Sequence, residues 1–359
     1  MNRTHHDRGV LRGALATVAG LLLLGSVSTA RAQETIKLTM AAGHPPIFLW
    51  VKHLKDSLMA TVDAELAKSG KYKIAWTEAY GGTLAKIGSE LETMEKGISD
   101  IGIVATVFQS SKLPLNNVTY FVPYGPADAD TVMAAIDKIQ TTPELTAEWS
   151  KYNALYLGGF AIDNYGLATA FPITKADDLK GHKIGGAGPN LAWFKNTGAV
   201  GVQGSLNTFY NDIKTGVYEG AIAFITSAVP AKLYEVAPNY TVVNMGAMYA
   251  GCVAINKARW DRFPDEVKAA LRKGADAYRK NYAAEQNARV AGAIETWKKA
   301  GGKYIELPAE ERLKLVKAIP NPTLDWIKQA GPSAKKVLAA YMDAVRATGF
   351  KFPRDFDKE

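Results

Sequence analysis

From residue 34 onward, short apolar runs alternate with longer stretches of helical spacing, the pattern of an α/β chain. Thr35 to Ala41 (TIKLTMA) reads as a first strand that stops at Gly43-His44-Pro45-Pro46. Between Phe48 and Ser69, Leu54, Leu58, Val62 and Leu66 fall four apart, which lines them up on one helical face. Lys73 to Glu78 is a second strand. Ser89-Glu90-Leu91-Glu92 has the form of a capping box opening a helix that Gly97 closes. Ile101 to Val107 is apolar enough for a strand covered on both faces. A second unit in the same style begins near Ala154. Strand-like ALYLGGFAI and GLATAF flank Asp163-Asn164-Tyr165, and Thr174 to Asp177 cap a short helix before Gly181. His182 to Ile184 is then a strand, 191–198 and 207–216 are helical, and 220–226 and 240–245 lead back towards Ala254. Two such units joined by extended segments imply two lobes with a cleft between them.

The last third reads differently. Trp260 to Ala300 is almost unbroken helix, with Val267, Leu271, Tyr278, Tyr282, Ile294 and Trp297 on one repeating face. Pro264 suits its first turn and Gly301-Gly302 ends it. Roughly 37 residues at about 1.5 Å each make a helix on the order of 55 Å long. That exceeds one lobe, so the helix spans both or kinks near Gly274 or Gly292. Residues 308–350 are helical as well, with Trp326 and Leu338 as packing residues.

The other end carries a targeting pattern. Arg3, Arg8 and Arg12 precede the apolar run Leu15 to Val27, and Ala30-Arg31-Ala32 has the small-x-small form of a signal-peptidase site. Residues 1–32 are therefore expected to be a signal peptide cleaved between Ala32 and Gln33, and no cysteine follows to take a lipid. Removing that segment lowers the formal charge from +8 to +5, with no basic run, which argues against nucleic acid as a partner. No second run of about 18 apolar residues is present, so a transport role would need separate membrane subunits. Cys252, the single cysteine, excludes an intrachain disulfide and sits in an apolar stretch suited to the core.

Several segments, in order, resemble one family. They are Gly82-Thr83-Leu84 through Gly97-Ile98-Ser99-Asp100-Ile101, Phe121-Val122-Pro123-Tyr124, ITKADDLKGHKI (173–184), and Lys214-Thr215-Gly216-Val217-Tyr218-Glu219-Gly220. Over essentially the whole chain after residue 32, these are similar to the solute receptors of tripartite ATP-independent periplasmic (TRAP) transporters. The resemblance implies an α/β, two-lobed, type II-like periplasmic binding protein with a long helix spanning both lobes. Its first lobe would begin with 33–156, its second would be 157–248, and 249–359 would supply the spanning helix and helices returning to the first lobe. It also implies a periplasmic, monomeric receptor that closes over one small solute and docks on membrane permease subunits. A receptor serving a sensor kinase or another transporter type is the alternative.

The resemblance places an acid-clamping arginine directly after Lys-Ile and an asparagine three residues beyond Asp-Gly. Here those positions are Gly185 and Ala223. No arginine occurs between Gln33 and Ala258, and lysine cannot reproduce the paired donors of a guanidinium. Arg259 or Arg262 could enter a cleft only from behind. Two ligand classes stay open. An acid would meet Lys183 or Lys195 and helix N-termini near Ser89 and Asn207. A neutral, aromatic or cationic solute would use His44, Phe48, Trp50, Phe108, Tyr165, Trp193 and Phe209, with Glu90 or Asp163 for any positive charge. Packing limits these choices: of Trp193 and Phe194, adjacent in sequence, at most one faces a cleft, and Asp163 in Asp-Asn-Tyr also suits a turn.

Catalysis and cofactors have little support. His44, His53 and His182 lack zinc spacing, no Gly-x-Ser-x-Gly elbow exists, and Gly185-Gly186-Ala187-Gly188 lacks the Gly-Lys-Ser/Thr ending of a phosphate loop. No metal or cofactor is expected.

Overall fold

The computed structural model describes residues 33–359, so the export segment and its cleavage site lie outside the described residues. Two sheets organise the chain. The first has the order β2-β1-β3-β10-β4, built from β1 (Glu34–Ala41), β2 (Tyr72–Ala79), β3 (Ile101–Ala105), β4 (Ala154–Ile162) and β10 (Met248–Asn256). The second has the order β11-β9-β5-β8-β6-β7, from β5 (Tyr165–Thr169), β6 (Lys183–Gly186), β7 (Val200–Gln203), β8 (Gly220–Phe224), β9 (Asn239–Val242) and β11 (Lys303–Glu306). The α/β architecture with two sheet-centred halves thus holds. β4 runs through residue 157 within the first sheet, and the chain passes to the second sheet between Ile162 and Tyr165. It returns between Val242 and Met248. Every residue of β3, β8 and β10 is buried, as expected of inner strands with both faces covered.

The helix following β1 is less regular than its leucine spacing implies. Leu49–His53 is α-helical, Leu54–Met59 is π-helical, and Ala60–Ala67 resumes the α-helix. The widened turn lies where the long helix passes closest. A Cβ added to Gly274 would sit 2.7 Å from Val62 Cγ2 and 2.9 Å from the Leu58 carbonyl oxygen. Gly274 is therefore a point of close approach, and the helical assignment runs through it without a break.

That long helix is Asp265–Lys299, unbroken over 35 residues, or about 52 Å. Trp260 belongs to a separate short helix, Lys257–Asp261, because Pro264 takes the N-cap position of the long one. The long helix joins both halves. At the first sheet, Tyr282 Oη and Gln286 Nε2 donate to the Ala161 carbonyl, at 2.9 Å and 3.0 Å, and Tyr278 Oη donates to the Trp50 carbonyl at 2.9 Å. At the second, Trp297 Nε1 donates to the carbonyls of Pro238 and Lys303, on either side of the β9–β11 pairing. After β11 the chain turns back. Trp326 Nε1 donates to Pro114, and Pro332–Arg346 packs on Ala129–Gln140 beside the first sheet.

Candidate functional site

The ends of β1, β3 and β4 and the start of β10 meet β5 and β8 around a pocket of about 530 Å³, its mouth included. From the first sheet come His44, Trp50, Phe108, Tyr120, Phe160 and Ile162. Tyr165, Ile222, Phe224, Asn190, Leu206 and Phe209 close it from the second. Ala105, Val107, Ala187 and Ala250 complete the wall. Among the described residues, nothing lining it carries an Asp, Glu, Lys or Arg side chain.

Rings dominate, and they are stacked in order. Trp50 lies parallel to Phe48 at 4.8 Å and to Phe160 at 5.8 Å, giving a three-ring stack whose middle member faces the pocket. His44 stands edge-on to Trp50 at 5.3 Å, and Phe224 of the second sheet lies 6.1 Å from the same indole. Such pairs add about 0.5–1.5 kcal/mol each beyond the area they bury. His44 is 4 % exposed, and burial pushes its pKa down to about 4, so the imidazole is neutral at pH 7.

Five of the residues singled out from sequence therefore line the pocket: His44, Trp50, Phe108, Tyr165 and Phe209. The others lie elsewhere, each for a local reason. Phe48 sits behind Trp50 as the outer ring of the stack. Trp193 is fully buried and braces the pocket from outside, its Nε1 donating to the Tyr120 carbonyl at 2.8 Å and its ring meeting Tyr165 at 5.6 Å. Glu90 lies behind the Gly43 turn, where Oε2 accepts the Gly88 N–H at 2.7 Å and burial raises its pKa to about 7. The expected capping box is replaced, since Ser89 Oγ donates to the Lys86 carbonyl and Glu92 pairs with Lys96.

Asp163 holds the passage between the sheets, accepting the Thr226 hydroxyl and, at 3.3 Å, the Thr226 N–H. Burial raises its pKa to about 6, and it opens on a separate cleft with Asp128 and Asn287. Asn207 is exposed ahead of the helix Phe209–Lys214 and does not reach the pocket. Lys183 and Lys195 are exposed and also outside it, while Arg259 reaches Asp100 and the Lys37 carbonyl, away from His44.

Gly185 and Ala223 face away from the pocket. They share the side of the sheet with Ala221, to which Gly185 is paired. A Cβ on Gly185 would come 2.6 Å from the Tyr218 ring, so aromatic carbon occupies the space a longer side chain would need. Ala223 is fully buried, and its carbonyl accepts from Tyr240 Oη. The family resemblance pointed to Ala223, whereas the lining residues are Ile222 and Phe224, one position away and on the opposite face. The apolar alternation of IAF, and of Phe160 with Ile162 in β4, was the available signal. Asn190 had none beyond being one polar residue in an apolar run.

Comparison with known proteins gives the family and the fold. Residues 49–328 match the family described as bacterial extracellular solute-binding protein, family 7. A solute-binding protein of Albidiferax ferrireducens is 23% identical over 265 residues, covering 70% of this chain and 75% of the relative. Among solved structures, a marine metagenome TRAP solute-binding protein specific for pyroglutamate is 22% identical with a TM-score of 0.74, covering 86% of this chain and 99% of the other. The periplasmic ectoine-binding protein of the TeaABC TRAP transporter of Halomonas elongata is 18% identical with a TM-score of 0.76, covering 87% and 100%. With that family match spanning well over half its length and that two-sheet fold, the chain belongs to the bacterial extracellular solute-binding proteins of family 7, the fold of TRAP solute receptors.

Proposed function

We propose that this chain is the periplasmic receptor of a TRAP transporter, exported with Gln33 as its mature N-terminus. It closes two sheet-centred lobes over one small solute and presents the closed form to membrane permease subunits. We further propose that the solute is uncharged, with an apolar or aromatic body, in contrast to the pyroglutamate named for one structural neighbour. The observation that carries this is the pocket wall, which is ringed by aromatic side chains and carries no formal charge. An ion moved from water into such a wall loses several kcal/mol of hydration with nothing to replace it. A cation fares no better than an acid, because Glu90 and Asp163 lie outside the wall.

A thermal-shift screen over dicarboxylates, amines and neutral ring compounds tests the reading. Neutral ring compounds should raise the unfolding midpoint, since a ligand at 100 times its dissociation constant adds about 2.7 kcal/mol. Stabilisation by simple dicarboxylates alone would overturn it. Delivery is tested by transport into proteoliposomes carrying the permease subunits, which should depend on the receptor.

A further inference from the structure

The one amide side chain lining the pocket has no protein partner for either of its polar atoms. Asn190 is fully buried and lines the pocket, yet neither Oδ1 nor Nδ2 meets a hydrogen-bonding group among the described residues. Its backbone is held in place. The turn Gly188–Phe194 closes with the Asn190 N–H donating to the Ala187 carbonyl at 3.1 Å, and Pro189 occupies its first turn. Gly188 has φ +47, and a Cβ there would stand 2.7 Å from the Val107 carbonyl oxygen, so this turn already abuts the first-sheet side. Leaving both ends of a buried amide unpaired is costly, and such groups call for a partner. Across the pocket three more atoms lack protein partners: Trp50 Nε1, which can only donate, His44 Nδ1 and Tyr120 Oη.

We infer that Asn190 determines specificity in this pocket by pairing edge-to-edge with a neutral group carrying N–H beside C=O, a primary amide or lactam on the solute. The inference rests on the uncharged-solute reading above and narrows it. The solute carbonyl accepts from Nδ2 while its N–H donates to Oδ1. A carboxylate offers only acceptors and would set a negative oxygen against Oδ1. An ester or ketone leaves Oδ1 unpaired, and a hydroxyl cannot serve both atoms in one plane. A planar N–H/C=O edge satisfies both together, with the solute's body against the rings of Trp50 and Phe224.

The test uses three probes that share one ring, namely benzamide, benzoate and methyl benzoate. Each is titrated by calorimetry into the full-length mature protein and into Asn190→Leu and Asn190→Asp. Benzamide should bind the wild type most tightly. Both substitutions should weaken it roughly 10- to 100-fold, as expected when a buried hydrogen-bonding site loses its match. Methyl benzoate should bind Asn190→Leu as it binds the wild type. Unliganded Asn190→Leu should unfold no earlier than wild type, because it removes two unpaired polar atoms. Equal wild-type affinity for benzamide and methyl benzoate, or equal weakening of both by Asn190→Leu, overturns the pairing and leaves the uncharged-solute reading in place. Binding of benzoate alone, or of none of the three, overturns that underlying reading.

Discussion

The two faces of the second sheet behave differently. On one, Ile222 and Phe224 of β8 open onto the aromatic pocket. On the other, Gly185, Ala221 and Ala223 are sealed under Tyr218, Tyr240 and Trp297. The positions where the family resemblance implies polar anchors are on the sealed face. A longer side chain at Gly185 would meet the Tyr218 ring, whose Oη donates to Asp212 at 2.7 Å.

The largest expected effect probes the sealed face. Trp297→Ala should cost about 3–5 kcal/mol of stability, measured by denaturant unfolding, and leave affinity for any solute found in the screen unchanged. Loss of affinity without loss of stability would mean the two faces are not separate. Phe224→Ala is its counterpart and should weaken solute binding several-fold at a smaller cost in stability.

Charge gives the next test. Burial raises Glu90 from its ordinary 4.5 to about 7, so the folded protein holds this proton more tightly than the unfolded chain. That contribution is fully present below pH 4.5 and is lost as pH rises to 7, a change of about 3 kcal/mol. Glu90→Gln should therefore gain stability relative to wild type across that window. His44 acts in the opposite sense: lowered to about 4, its contribution is present above pH 6.5 and lost as pH falls towards 4. His44→Phe should flatten that acid-side loss. A pH-independent difference between Glu90→Gln and wild type would show that Glu90 is charged in the folded protein.

Gly185→Arg should destabilise by at least about 1–3 kcal/mol, because its first side-chain atom meets the Tyr218 ring. It should also fail to create acid binding. A stable Gly185→Arg variant that binds dicarboxylates would break the comparison outright, whereas rescue of stability by adding Tyr218→Ala would sharpen it. The smallest effect is at the exposed helix entrance, where Asn207→Ala should change stability by less than about 0.5 kcal/mol and leave binding untouched.

Much of this molecule was legible as periodicity. The alternation of short strands and helices, the long helix after Pro264, and the ring residues at the end of β1 all follow from local spacing, because 2.0 and 3.6 residue repeats survive in sequence whatever they pack against. His44 was named from its place at the end of the first strand, and Trp50, Phe108, Tyr165 and Phe209 from the cleft that the family resemblance implies. What only the tertiary structure decided was direction and pairing. A strand residue and its neighbour face opposite ways, so whether Ala223 or Phe224 meets the pocket turned on a register that long-range strand pairing sets. Glu90, Asp163 and Trp193 became supports of the pocket because partners more than 15 residues away, or the turn beside them, took up their side chains. Asn190 lines the cavity from the short turn between β6 and β7, where its amide has no protein partner. Local sequence determines which elements form, and the packing of distant elements determines which side chains are left free to meet a solute.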